Sequence, residues 1–138
     1  MIENLSLTSR IVDDQDEALR FYTEKLGLEK KADETFGPGF RWLTVAPEQD
    51  ETVEITLEIP DWADDEEEVD HRAAMIGEQQ ALAFTVDDCH ATYETLRDRG
   101  VEFTSEPEEQ PYGTQAVASD LYGNGIVLVE HPSEAEME

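Results

Sequence analysis

Residues 12–29 read Val12-Asp13-Asp14 and then QDEALRFYTEKLGLE, and they decide the fold because residues 86–103 repeat them as Val86-Asp87-Asp88 and then CHATYETLRDRGVEF. Each stretch leaves an apolar or alternating segment, passes through a pair of aspartates and enters a helical pattern. Each pattern ends at a glycine, Gly27 or Gly100, after which Leu28 or Val101 begins a new extended segment. In the first copy Ala18, Leu19, Tyr22 and Leu26 recur at helical spacing; in the second Tyr93, Leu96 and Val101 do so. Asp14 with Glu17 three positions on has the pattern of a capping box, and glycine suits the left-handed end of a helix.

Outward from these helices, the ends of the two copies also match. Val53-Glu54-Ile55-Thr56-Leu57-Glu58-Ile59-Pro60 lines up with Gly125-Ile126-Val127-Leu128-Val129-Glu130-His131-Pro132, both apolar-rich and both closing on Glu-x-Pro. The alignment pairs Ile55 with Val127 and Glu58 with Glu130. Each copy is then about 55 to 60 residues in the order strand, helix, three strands. Phe36-Gly37-Pro38-Gly39-Phe40 is a turn flanked by aromatics. Asp120-Leu121-Tyr122-Gly123-Asn124-Gly125 is a tight turn between the last two strands, where Asn-Gly tolerates positive φ. The organisation expected is a first βαβββ module at 1–62, an acidic connector at 63–78, a second module at 79–132 and a frayed tail at 133–138, together one α+β domain. The acidic run DWADDEEEVD at 61–70 is expected to be solvated, with a short helix over 69–76.

The chain has 138 residues, enough for one real core, and its hydrophobic content of 38% is low for a globular protein but too high for a disordered one. No apolar run approaches membrane-spanning length, and MIENLSLTSR lacks the basic start and apolar centre of a signal peptide. A cytoplasmic location is expected. Cys89 is the only cysteine, which makes an internal disulfide impossible and a bland buried thiol the simplest reading. Thirty-five acidic residues against 9 basic ones give a net charge of -26. Such a surface repels nucleic acid and anionic membranes, so neither is expected as a partner. The acids are spread along the whole chain, as in proteins of salt-accumulating halophiles, where a Debye length of ~3 Å in molar salt suppresses self-repulsion.

A duplicated βαβββ unit of this size resembles the vicinal-oxygen-chelate superfamily of glyoxalases, bleomycin-resistance proteins and dioxygenases. The resemblance rests on the strand into VDDQDEALRFYTEKLGLE, on FRWLTV, on the strand into VDDCHATYETLRDRGVEF and on SDLYGNGIVLVE, which together span nearly the whole chain. It implies two modules of curved sheets around a cavity, and a homodimer. In the metal-dependent members four ligands line that cavity. Carried over, two fall five positions before Val12 and Val86, at Leu7 and Ala81, and two fall in the last strand of each module, at Ile55 and Val127. All four are apolar. A divalent ion needs several N, O or S donors at about 2.0–2.6 Å, so neither a metal nor another cofactor is expected. A one-residue slip of a strand would instead turn Ser6, Thr8, Glu54 or Thr56 inward.

Strand parity assigns a ligand-binding lining of Leu7, Ser9, Phe40, Trp42, Ile55, Leu57, Ala81, Ala83, Thr85, Val127 and Val129, with Tyr112 in a turn that closes over the mouth. Aromatic walls with few polar groups are what small-molecule pockets use. The same parity turns Glu58 and Glu130 away from the cavity as solvated rim residues. Arg10 and Arg41 are either an anion clamp or ion-pair partners of the abundant carboxylates, and the ion pair is the simpler reading. Trp62 is expected to cover a sheet edge or a partner subunit. His71, His90 and His131 have no His or Cys companion at ligand spacing and read as surface residues. No catalytic residue is assigned. The leading expectation is a metal-independent, homodimeric binder of a partly apolar small organic ligand. One alternative is a glyoxalase-like lyase or isomerase, or a dioxygenase-related enzyme, with a displaced metal site using His71, His131 and nearby carboxylates. Another is an interaction module whose cavity is filled.

Overall fold

The computed structural model describes residues 1–50, 52–62 and 65–132; the expected tail and the side chain of Trp62 lie outside the described residues. The chain divides into two compact units, Met1–Glu78 and Gln79–Glu138. Each holds one four-stranded sheet, and with three α-helices among the described residues the class is α+β.

In the first unit the order is β1 (Leu7–Ile11), α1 (Gln15–Arg20), β2 (Glu29–Phe36), β3 (Phe40–Ala46) and β4 (Glu54–Glu58), followed by α2 (Glu66–Ala74). The sheet runs β1-β4-β3-β2, with β1 parallel to β4 and the other pairs antiparallel. Asp14 caps α1 by accepting the Glu17 backbone N–H at 3.0 Å, satisfying one of the donors a helix start leaves over. The helix then widens into a π turn at Phe21–Lys25, in which the Leu26 N–H reaches the Phe21 carbonyl at 3.1 Å. Gly27 ends it at φ 83, a left-handed conformation costly for any residue with a Cβ.

The second unit repeats the plan as β5 (Leu82–Thr85), α3 (Cys89–Asp98), β6 (Glu102–Gln110), β7 (Gly113–Ser119) and β8 (Gly125–Glu130), with sheet order β5-β8-β7-β6. Asp88 caps α3 through the Ala91 N–H at 3.0 Å, and Gly100 closes it at φ 93. The helix packs on β6, β7 and β8. Tyr93 meets Phe103 edge to face at 4.7 Å, which places the row Phe103, Ala118, Ile126 and Leu82 on the α3 face. Buried Leu96, Val101, Ala116, Ala118, Ile126 and Leu128 form this unit's core. Burying each of the larger side chains contributes about 1.5–3 kcal/mol.

Two local expectations change. The connector helix starts in the acidic run itself, with Asp65 as its cap and Glu66, Glu67 and Glu68 in its first turn. Three carboxylates at the positive end of the helix dipole favour that start. In the turn after β7 the positive φ belongs to Gly123 at 94°, not to Asn124, which is 1% exposed. Asn124 donates from Nδ2 to Asp120 Oδ2 at 3.0 Å and accepts the Gln79 N–H at 3.0 Å, while Asp120 Oδ1 takes the Tyr122 and Asn124 N–H groups. The turn is therefore held by a buried polar network. No helix among the described residues is long and apolar enough to cross a membrane.

Candidate functional site

Each sheet has one face under its helix and one face away from it, and the pairing register decides which side chains lie where. In the first sheet Arg41 Nη1 meets Asp16 of α1 at 2.8 Å, which marks the α1 face. Arg41 alternates with Trp42 along β3, so Leu43 and Val45 share the α1 face while Phe40, Trp42 and Thr44 take the other. Across the sheet, Val45 pairs with Ile55, Ile55 with Thr8, and Leu57 with Arg10; Thr44 pairs with Thr56 and Thr56 with Ser9, while Leu7 pairs with Glu54.

This register divides the residues expected to share a wall. Ile55 and Leu57 lie on the α1 face, 4% and 0% exposed, with Leu43 and Val45. Leu7, Ser9, Phe40 and Trp42 lie on the opposite face together with Glu54, Thr56 and Glu58. The reason is a one-residue offset between the two copies. Val12 donates its N–H to the Glu58 carbonyl, whereas the equivalent Val86 donates to Val129, so Glu58 matches Val129 rather than Glu130. The shared Glu-x-Pro ending concealed one extra residue in β8. A slip of one position moves every side chain of a strand to the other face.

Glu58 and Glu130 are accordingly not equivalent and are not free rim residues. Glu58 stands on the face away from α1, half-buried, with Arg72 of α2 at 3.5 Å. Desolvation raises its carboxyl pKa, and Arg72 opposes that shift. Glu130 lies on the α3 face and accepts the Cys89 N–H at 2.8 Å at the start of that helix.

The face away from α1 carries a polar patch, two members of which, Glu54 and Thr56, strand parity had turned the other way. Thr44, 0% exposed, donates from Oγ1 to Glu54 Oε1 at 2.5 Å. Thr56, 2% exposed, donates to Ser9 Oγ at 3.1 Å. Around this patch Leu7 is 38% exposed, Ser9 is exposed, and Phe40 and Trp42 are half-buried. The possible slip of β4 to Glu54 and Thr56 was the signal that pointed to these residues.

In the second sheet the face away from α3 is built from small and branched side chains. Ala83 pairs with Val127 and Val127 with Val117; Thr85 pairs with Val129 and Val129 with Gln115. Ala83 and Thr85 are exposed, Val127 is half-buried and Val129 is 9% exposed. Ala81 is exposed beside Gly125, where a Cβ would come within 3.2 Å of its own. Tyr112, 48% exposed in the β6–β7 turn, donates its hydroxyl to Gln115 Oε1 at 2.5 Å. Sequence reasoning did not anticipate Gln115, Val117 or the polar depression of about 460 Å³ lined by Glu109, Gln110, Pro111, Gly113, Thr114, Glu130 and Pro132.

Arg41 forks onto Asp33 through Nε at 2.8 Å and Nη2 at 2.9 Å, an ion pair that lowers the Asp33 pKa to about 2 and raises that of Arg41. Arg10 is 1% exposed and lies on the α1 face. His71, His90 and His131 are exposed. Cys89 is buried, and desolvation, with Glu130 nearby, raises its thiol pKa, the opposite of what a reactive cysteine needs.

The donor set does not fit a divalent ion. With Glu58 matched to Val129, Thr56 replaces Ile55 among the carried-over positions, while Leu7, Ala81 and Val127 remain apolar. One hydroxyl at four positions otherwise apolar is short of what such an ion requires. Among the described residues no group of three or more His, Cys, Asp or Glu is placed to hold a metal.

Two open sheets, each with a parallel pair at one edge and a capped helix on one face, define a duplicated βαβββ protein. A sequence model of the Glyoxalase/Bleomycin resistance protein/Dioxygenase superfamily matches residues 4–128, and the chain belongs to that superfamily. It is 41% identical over 125 residues to the uncharacterised protein YurT of Bacillus subtilis (strain 168), covering 90% of this chain and 96% of YurT. The structure of UcmS2 superposes with a TM-score of 0.84 at 41% identity over 94% of this chain and 99% of that one. TnmS3, an antibiotic binding protein from Streptomyces sp. CB03234, superposes with a TM-score of 0.78 at 33% identity over 95% of this chain and 98% of its own.

Proposed function

We propose that the protein is a metal-independent binder of a partly apolar small organic ligand, held against a sheet face that lies away from α1 or α3. The observation that carries this reading is the composition of those faces. Leu7, Phe40 and Trp42 on one flank the polar patch of Ser9, Thr44, Glu54 and Thr56, while Ala83, Val117, Val127 and Val129 on the other are apolar; apolar and aromatic surface beside a few placed polar groups is the chemistry of ligand pockets. The likeness to TnmS3, itself an antibiotic binding protein, supports the same reading. Tyr112 and Thr85 complete the proposed contacts. The proposal includes a homodimer in the cytoplasm, the assembly that the family resemblance implies.

Calorimetric titration with 1-methoxynaphthalene and a panel of aromatic antibiotics, in the presence of a chelator, tests the reading. Trp42→Ala is expected to weaken binding at least about tenfold, the loss of roughly 1.4 kcal/mol or more of aromatic contact. Unchanged affinity in a folded Trp42→Ala variant counts against this face, and no binding by the wild type counts against the function.

A further inference from the structure

Resting on that reading, we propose that Glu54 selects the ligand: it accepts a hydrogen bond from an O–H or N–H donor carried next to an aromatic body that lies along Trp42. The register brings Glu54 to the same face as Leu7, Thr44 and Trp42. Leu7 stands directly across from it on β1, and Thr44 separates it from Trp42 on β3. Glu58 and Glu34 share this face, Glu34 across from Trp42, and what sets Glu54 apart from them is its hydrogen bond from buried Thr44 beside Leu7, which suits a molecule that is largely apolar and carries one donor.

The carboxylate is oriented for this task. Thr44, with no exposed surface, donates to Oε1 at 2.5 Å and fixes the group from inside the sheet. An ionised carboxylate has about four lone-pair sites, so one hydroxyl leaves most of its accepting capacity in place. None of the ion pairs among the described residues involves Glu54: Arg72 goes to Glu58 and Glu68, and Arg41 to Asp16 and Asp33. The other two strand-end carboxylates are committed elsewhere, Glu58 to Arg72 and Glu130 to the start of α3. Trp42 is half-buried and by strand alternation lies on the same face. A donor-bearing aromatic gains both contacts, and an aromatic without a donor leaves the carboxylate desolvated and unsatisfied, which is where discrimination arises.

The test uses three probes of one shape: 1-naphthol, 1-naphthylmethylamine and 1-methoxynaphthalene, titrated calorimetrically into wild type, Glu54→Leu, Glu54→Gln and Thr44→Val, each checked for a native melting transition. Wild type is expected to bind at least one donor-bearing probe about tenfold or more tighter than 1-methoxynaphthalene. A preference for the naphthol identifies a neutral hydroxyl as the natural donor, and a preference for the amine identifies a cation. Glu54→Leu is expected to bring the three affinities within about twofold of one another, and Thr44→Val to reduce the preference partly. If Glu54→Leu does not fold, Glu54→Gln serves, and is expected to cost the amine about tenfold more than the naphthol because only the carboxylate charge is lost. Equal binding of all three probes by wild type overturns the proposal while leaving the binding function standing. Discrimination that survives in Glu54→Leu, or an amine affinity left unchanged in Glu54→Gln, also overturns it. If none of the probes binds folded wild type, the functional reading fails and takes this proposal with it.

Discussion

Replacing Asn124 by aspartate changes one atom of a buried network and is expected to destabilise the second unit severely. Asn124 Nδ2 donates to Asp120 Oδ2 at 3.0 Å, with the two residues 1% and 6% exposed. Asn124→Asp turns that donor into an acceptor, which removes a charge-assisted hydrogen bond of about 1.5–3 kcal/mol. It also sets two carboxylates about 3 Å apart, a repulsion of roughly 5 kcal/mol at an effective dielectric constant near 20. The pair relieves most of this by holding a proton, so the net loss expected near pH 7 is about 3–5 kcal/mol. Asn124→Ala loses two hydrogen bonds without adding charge and is expected to lose about 2 kcal/mol. The new carboxyl has a folded pKa above its unfolded value near 4, so its destabilisation is complete above the folded pKa and disappears below about pH 4. The assay is equilibrium urea unfolding in molar salt from about pH 7 to about pH 4, with each variant read as its difference from wild type. An Asn124→Asp protein no less stable than Asn124→Ala, or a difference that does not shrink on acidification, would refute the reasoning.

The other expectations follow from single features of the structure. Carboxyl NMR should place the Asp33 titration midpoint at about 2, against the ordinary 3.8, with Arg41→Ala returning it to the ordinary range; a wild-type midpoint near 3.8 would contradict the fork. Because that pKa is lowered, the ion pair stabilises the fold above 3.8 and is lost as pH falls through about 2, by about 1 kcal/mol after allowance for solvent screening. Gly113 adopts φ +138, where an added Cβ would collide with the Glu130 carbonyl, so Gly113→Ala should lose about 3 kcal/mol or fail to fold, and a loss below about 1 kcal/mol would show that β7 and β8 are not so closely apposed. With a net charge of -26, the urea midpoint should rise steadily as NaCl is raised from about 0.1 M to molar concentrations, and a flat response would show that self-repulsion is not what limits stability.

The duplicated plan was legible because its markers are local. Asp14 and Asp88 cap helices, and Gly27 and Gly100 end them, through interactions within a few residues, so the sequence carries them directly. The register of β4 is of another kind. It depends on which atoms of β1 and β3 meet it, and an alternating strand reads equally well in two registers differing by one residue. The common Glu-x-Pro ending favoured the wrong register, which sent Ile55 and Leu57 to the face away from α1 and concealed Glu54 and Thr56. Gln115 and Val117 were missed because β7, in which tertiary packing buries Ala116 and Ala118 on the α3 face, has no echo in the first copy that singles it out. The start of α2 was missed because a run of acids reads as solvated chain, although its first turn favours them.

Metal independence is the point on which the account turns, and elemental analysis of the protein purified in molar salt without chelator tests it most directly. Less than about a tenth of an equivalent of any transition metal per chain is the predicted result, because Leu7, Ala81 and Val127 supply no donors and Thr56 supplies only a hydroxyl. Near one equivalent per chain, lost on replacing His71, His131 or Glu54, would contradict the account and make a displaced metal site the leading reading.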